Sequence, residues 1–244
     1  MLRGIVRKMV PGSLRASLAQ ARRARRDSGL LLARRAGAPE ADFPHALAGI
    51  VQEIKGGAFL EGKLANIRLG AARLDGVVVA PGETFSFWAL VGRPSAAAGF
   101  QLGRSIRGGI AGGDIGGGLC QVSGIAYEAG LRAGLTVAER HPHSRDLYTE
   151  EERFTPLGLD ATVVWPYRDL RLLNPHAIPL RFGFTVGDRT LTASVHATAP
   201  LPTATIEIER TDQEGQRHVR VLRHRGDGQH ELISDDIYPL MPPT

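Results

Sequence analysis

The sequence predicts an α+β protein: a mixed or antiparallel sheet with a cysteine-bearing helix packed on it, followed by a C-terminal β appendage. Three observations support this class. Residues 119–133 repeat apolar positions with helical period and carry a stop signal at the end. Runs at 135–140, 161–165, 178–184 and 190–198 have the short apolar or alternating character of strands. Beyond Pro200-Leu201-Pro202 clean alternation returns at 205–209 and 218–222. At 244 residues and 43% hydrophobic, the chain can bury one sizeable core, or a core with a small appendage.

The elements follow in order. Residues 1–42 form a basic helical leader and linker, with Leu14, Leu18 and Ala21 at helical spacing. Residues 1–35 hold ten Arg or Lys and one acid, Asp27, a net +9; the remainder of a chain whose total is +5 therefore carries −4. Such an arm suits contact with an anionic membrane surface or with nucleic acid, and equally a solvated helical leader. No aromatic residue occurs in residues 1–42, so the arm offers no base stacking, and no nucleic acid is expected as partner. The longest apolar runs fall far short of the ~20 residues of a membrane helix. Arg3, Arg7 and Lys8 interrupt the stretch where a signal peptide must be apolar. The expectation is a chain with neither cleaved signal nor transmembrane helix, cytoplasmic or peripheral to a membrane.

Residues 43–199 form the main α+β domain and residues 200–244 the appendage and tail. Ile50, Ile54, Leu60, Leu64, Ile67 and Leu69 predict helix across 43–74, interrupted at Gly56-Gly57. Val77-Val78-Val79-Ala80 reads as a short buried strand closed by Pro81-Gly82. Residues 103–118 are rich in glycine. They form either a flexible surface loop or a backbone that approaches a ligand or another chain closely. They are not a phosphate loop, since no Gly-Lys-Ser or Gly-Lys-Thr follows. Val122, Ile125, Ala126, Ala129 and Ala133 then mark one helical face, with Arg132 in the last turn and Gly134 as a left-handed cap. Residues 135–140 alternate as a strand and deliver His141 and His143 at its end. A second strand, 161–165, begins at Asp160. Residues 169–174 and 178–184 continue the pattern, and 190–198 closes a hairpin through Gly187-Asp188. Residues 239–244 read as a loose tail.

Cys120 is the only cysteine, so an internal disulfide is excluded. It follows Gly116-Gly117-Gly118 and opens a helix, where the dipole favours the thiolate. His141, His143 and Asp160 come next. A cysteine, a histidine and an acid can serve as nucleophile, base and orienting group. The plainer alternative is a small buried thiol, histidines capping a strand and an aspartate holding a turn. No paired-cysteine or His-Glu-X-X-His spacing supports a metal, and no cofactor is expected. His196, His218, His224 and His230 lie scattered on strand-like segments and read as solvated.

Four signatures stand out. They are Pro81-Gly82-Glu83-Thr84-Phe85-Ser86-Phe87-Trp88, then Gly116-Gly117-Gly118-Leu119-Cys120-Gln121-Val122-Ser123, then Glu139-Arg140-His141-Pro142-His143-Ser144, and finally Gly158-Leu159-Asp160-Ala161-Thr162-Val163 with Asp169-Leu170 and Asn174 beyond. In combination, order and spacing the chain resembles the VanW family over roughly residues 45–185. The resemblance implies a link to the bacterial cell envelope and, for some members, to glycopeptide resistance. It supplies no reaction. His143 matches the family pattern better than His141.

Two functional readings follow. In the first, the protein is a thiol hydrolase or acyltransferase acting on amide bonds of peptidoglycan or its precursors. Cys120 attacks a carbonyl, His143 is the base and Asp160 orients it. The Cys120 amide and Gln121 hold the oxyanion. Gly116, Gly117, Gly118, Trp88, Arg140, His141 and Ser144 contact the substrate. Cysteine on a helix, histidine after a strand and an acid on the next strand is also the layout of papain- and transglutaminase-like folds. In the second reading, the protein is a non-catalytic envelope module. The glycine loop, Phe85, Phe87, Trp88 and Trp165 then line a groove for glycan or peptide. The competing role for Phe85 and Phe87 is core packing.

Overall fold

The computed structural model describes residues 12–35, 38–107, 110–144, 153–226 and 228–240. The N-terminal arm enters as α1 (Gly12–Asp27), followed by β1 (Arg34–Arg35), β2 (His45–Glu53), α2 (Leu60–Leu74), β3 (Val77–Val79), β4 (Thr84–Ser86) and the short α3 (Phe87–Val91). Then come β5 (Leu102–Arg107), β6 (Ile110–Ile115), α4 (Leu119–Arg132), β7 (Thr136–Glu139), β8 (Arg171–Leu173), β9 (Leu180–Val186) and β10 (Thr190–Ala197). The last three strands are β11 (Thr205–Gln213), β12 (Gln216–His224) and β13 (His230–Pro239).

The strands form a five-stranded sheet in the order β1-β3-β9-β10-β2, two three-stranded sheets, β4-β8-β7 and β11-β12-β13, and the hairpin β5-β6. All named pairs are antiparallel. The protein is thus α+β with antiparallel sheets and few helices. Among the described residues no helix is long and apolar enough to cross a membrane.

The core is built where the period-2 side of the large sheet meets the period-3.6 side of the helices. Leu191, Ala193, Val195 and Ala197 of β10 alternate inward. Against this sheet lie α2 and α4. Every residue from Gln121 to Leu131 is buried, so α4 is enclosed all round. Small residues allow that enclosure. A β-carbon on Gly130 would lie 2.5 Å from Leu172, and one on Gly70 of α2 would lie 2.7 Å from Leu119.

Several expectations change. The helix expected across 43–74 divides: residues 45–53 are strand β2, whose cross-strand partners on β10 override the helical spacing of Ile50 and Ile54, and only α2 is helical. Residues 161–165 are not a strand; they run irregularly, with one bridge between Val164 and Arg168. The glycine-rich stretch is the hairpin β5-β6 rather than a loop, with residues 108–109 outside the described residues. The C-terminal sheet has a third strand, β13, and clasps the body. Arg223, fully buried, donates to the Leu131 and Leu135 carbonyls at the end of α4.

Candidate functional site

The glycine turn before α4 is shaped by packing. Gly116 and Gly118 have positive φ of 84° and 105°. Gly117 is required for a different reason: its β-carbon would sit 2.1 Å from the carbonyl oxygen of Gly103 on β5. Asn66 of α2, fully buried, locks this contact. Its amide donates to the Gln101 and Gly117 carbonyls, both at 2.9 Å, and its oxygen accepts from the Gln101 amide at 2.8 Å. The turn therefore hands the chain into α4 in a fixed direction, with Cys120 in the first turn, partly buried.

The thiol is held weakly, with a long 3.8 Å contact to the Val163 carbonyl. The segment carrying that carbonyl is tied to α4 by Ser123, which donates to Ala161 at 2.6 Å, and to the histidine segment by Thr162, whose amide donates to His141 at 2.7 Å. Three separate stretches thus converge on one place: the start of α4, the residues after β7, and residues 158–163.

Asp160 is the hub. Its Oδ2 accepts from the backbone amide of His143 and lies 2.7 Å from His143 Nδ1. Its Oδ1 accepts from Arg140 Nη2 at 2.9 Å, from the Tyr238 hydroxyl at 2.8 Å and from the Gly158 amide at 3.3 Å. Arg140 also binds the Asp160 carbonyl, the Gly158 carbonyl and, at its other tip, Asp236. With an ionised carboxylate on Nδ1, that nitrogen carries a proton, which leaves Nε2 for a further partner.

Electrostatics follow from this packing. Burial alone would lower the His143 pKa, but the Asp160 carboxylate, helped by the nearby Cys120 thiol, lifts it to about 10. Burial alone would raise Asp160; the hydrogen bonds from His143 and the Arg140 charge instead hold it well below the usual carboxylate range. Burial also lifts the Tyr127 phenol to about 12. Arg140 lies over its ring, 5.4 Å from the centroid.

The structure therefore brings Cys120, His143 and Asp160 together and sends other candidates elsewhere. The Gln121 side chain donates to the Glu53 carbonyl of β2, so it is turned away from the thiol. Arg140 is engaged on all sides, with its side chain 4% exposed, and supports Asp160 instead of meeting a ligand. Trp88 is buried in the core, its indole N–H donating to the Arg168 carbonyl at 2.7 Å, and Phe85 and Phe87 are fully buried. Trp165 is half-buried, edge-on to Trp88 at 5.7 Å. His141 bonds Glu139 at 3.0 Å, and Ser144 is exposed. Among the described residues no group of three or more His, Cys, Asp or Glu side chains is arranged to hold a metal ion.

Sequence reasoning missed Asn66, Tyr238 and Asp236. Asn66 left little trace, since α2 also carries the charged residues Glu61, Lys63, Arg68 and Arg73.

The first and last signatures meet in a second cluster. Asp169 accepts from the Ser86 hydroxyl at 2.7 Å, the Trp88 amide at 3.0 Å and Arg23 of α1 at 3.0 Å. Asn174 ties the Val79 and Ile178 carbonyls together.

These features define an α+β protein with a cysteine, a histidine and a buried aspartate gathered beside one helix start. The model for VanW-like proteins matches residues 62–196, more than half the chain, and the protein belongs to that family. It is 38% identical over 115 residues to the uncharacterized protein YoaR of Bacillus subtilis, covering 47% of this chain and 36% of that one. It is 30% identical over 139 residues to the vancomycin B-type resistance protein VanW of Enterococcus faecalis, covering 57% and 50% respectively. The chain thus spans half or less of the length of these curated relatives. No solved structure matches it, so the papain-like layout gains no support.

Proposed function

We propose that this protein is a cysteine-dependent amide hydrolase or acyltransferase of the cell envelope, acting on peptidoglycan-type peptide bonds. The observation that carries this reading is the convergence of Cys120, His143 and Asp160, with His143 Nδ1 held 2.7 Å from Asp160. Besides tying its loop together, the Asp160–His143 pair lies close enough to the partly exposed Cys120 for the sulfur to act on the imidazole.

The Cys120 sulfur, its proton already passed to His143 Nε2, attacks the amide carbon. The first-turn amide of Cys120, without an intrahelical partner by its position, is the donor placed for the oxyanion. The charged His143 gives its Nε2 proton to the departing amine, leaving a thioester on Cys120. Water, or an acceptor amine, then attacks the thioester, His143 takes up its proton, and the Cys120 sulfur leaves as the thiolate, which restores the starting pair. Asp160 keeps the ring in one tautomer and orientation throughout. The envelope link of the family and the name of the vancomycin-resistance relative direct the substrate class.

The test is incubation with peptidoglycan fragments, with and without an amine acceptor, followed by mass spectrometry. Cys120→Ala should abolish cleavage and transfer while leaving the unfolding midpoint nearly unchanged. His143→Ala should cost ~10²–10⁴-fold in rate. Full turnover by Cys120→Ala would overturn the reading.

A further inference from the structure

We propose that the outer face of α1 binds an anionic lipid surface and holds the body of the protein against it. The helix is inverted relative to an ordinary surface helix, whose apolar stripe faces the core. Its inner face docks through charge. Arg23 binds the Pro166 carbonyl, Glu139 and Asp169, and Asp27 receives Arg171 at 2.8 Å. Its outer face carries the leucines: Leu14 is 51% and Leu18 50% exposed. At 100° per residue, Leu14, Leu18, Ala21 and Arg25 fall within about 60° of one another, opposite Arg23 and Asp27. Arg15, Arg22 and Arg26 flank them and are exposed.

Leucines bordered by arginines on a solvent face are the pattern of a helix lying in a lipid interface, where apolar tips enter the acyl boundary and guanidinium groups meet phosphates. Beside α1 runs a groove of about 820 Å³, lined by Arg22, Arg26, Leu18, Pro166 and Tyr167, and Tyr167 is 53% exposed. A tyrosine at that level suits the headgroup layer. Four arginines remain outward after Arg23 is engaged inside, and in sequence the preceding residues add Arg3, Arg7 and Lys8. Charge complementarity therefore selects an anionic surface. The two half-exposed leucines select lipid over nucleic acid, which would leave them in water.

The experiment uses the full chain and vesicle flotation. Wild type should float with phosphatidylcholine vesicles containing phosphatidylglycerol, not with pure phosphatidylcholine, and should release as salt rises. Arg15→Gln/Arg22→Gln/Arg25→Gln, which keeps the docking residue Arg23, should weaken binding roughly a hundredfold. Leu14→Ser/Leu18→Ser should weaken it while leaving its salt dependence in place. Cys120 alkylation serves as a control for the fold and should not change in either variant, so a failure here is separable from a failure of the proposed chemistry. Absence of wild-type binding, equal binding by the triple variant, or displacement from vesicles by duplex DNA at equal charge would overturn the proposal.

Discussion

Asp160 shows how one carboxylate can organise a site. Its four partner residues come from three places: Gly158 in its own loop, Arg140 and His143 after β7, and Tyr238 on β13. Arg140 is the cation that makes this burial tolerable, with the side chains of Arg140, Asp160 and Asp236 only 4%, 6% and 10% exposed. Arg140→Met should therefore destabilise by about 3–5 kcal/mol in urea unfolding, because it leaves two carboxylates buried without a counter-charge. Tyr238→Phe removes one donor to a charged acceptor and should cost about 1–3 kcal/mol. The ionisations of the pair also set a pH dependence. Asp160 titrates below its ordinary value of 3.8, so its contribution is present above that value and fades as pH falls below it. His143 is lifted from 6.5 to about 10, so its contribution is complete below 6.5 and fades as pH rises toward 10. Unfolding free energy measured across pH should fall on both limbs, and Asp160→Asn should flatten both. An unchanged profile in that variant would contradict the assigned contacts.

At the scale of elements, the glycine turn, the hairpin and α2 act as one clamp on the start of α4. Gly117→Ala would place a β-carbon 2.1 Å from Gly103 oxygen and 2.3 Å from Gly103 carbon, both backbone atoms that cannot swing aside. It should cost about 1–3 kcal/mol and slow alkylation of Cys120, since the first turn of α4 must shift. Gly112→Ala on β6 meets nothing within 4 Å and is the matched control, expected to change neither quantity. Asn66→Ala should destabilise by about 1–3 kcal/mol by orphaning the Gln101 and Gly117 groups, as seen by thermal unfolding. The same scale accounts for β2 being a strand despite its helical spacing. Ile50, Ile54 and the later leucines happen to fit a 3.6 spacing, but the antiparallel partner β10 pairs Thr190 with Glu53 and Ala197 with His45, far beyond any local window. The hairpin β5-β6 hid for a related reason: its glycines serve close backbone approach, which in a sequence looks like looseness.

At the scale of the whole molecule, the four signatures sort into two mechanical units. Pro81-Gly82-Glu83-Thr84-Phe85-Ser86-Phe87-Trp88 joins Asp169 and Asn174 in a clasp that also receives α1 through Arg23. The glycine turn, the histidine segment and the Asp160 loop form the candidate site. The C-terminal sheet lies beyond the family match at 62–196, yet its Tyr238 and Asp236 close the cluster around Asp160 and Arg140. Removing residues 205–244 should therefore do more than trim an appendage. The truncated chain should alkylate Cys120 at a different rate from wild type, read by mass spectrometry under the same conditions. By itself, the sequence determined the α+β class, the α4 helix with its glycine cap and most of the strands, and it singled out Cys120, His143 and Asp160 as candidates, because local periodicity, caps and motif spacing are written in neighbouring residues. Tertiary structure alone decided that Gln121 and Trp88 turn away from the thiol, that Arg140 serves the aspartate, and that a tyrosine 78 residues downstream donates to it. Burial and hydrogen-bond pairing between distant stretches depend on how the whole chain packs, and no local pattern encodes that.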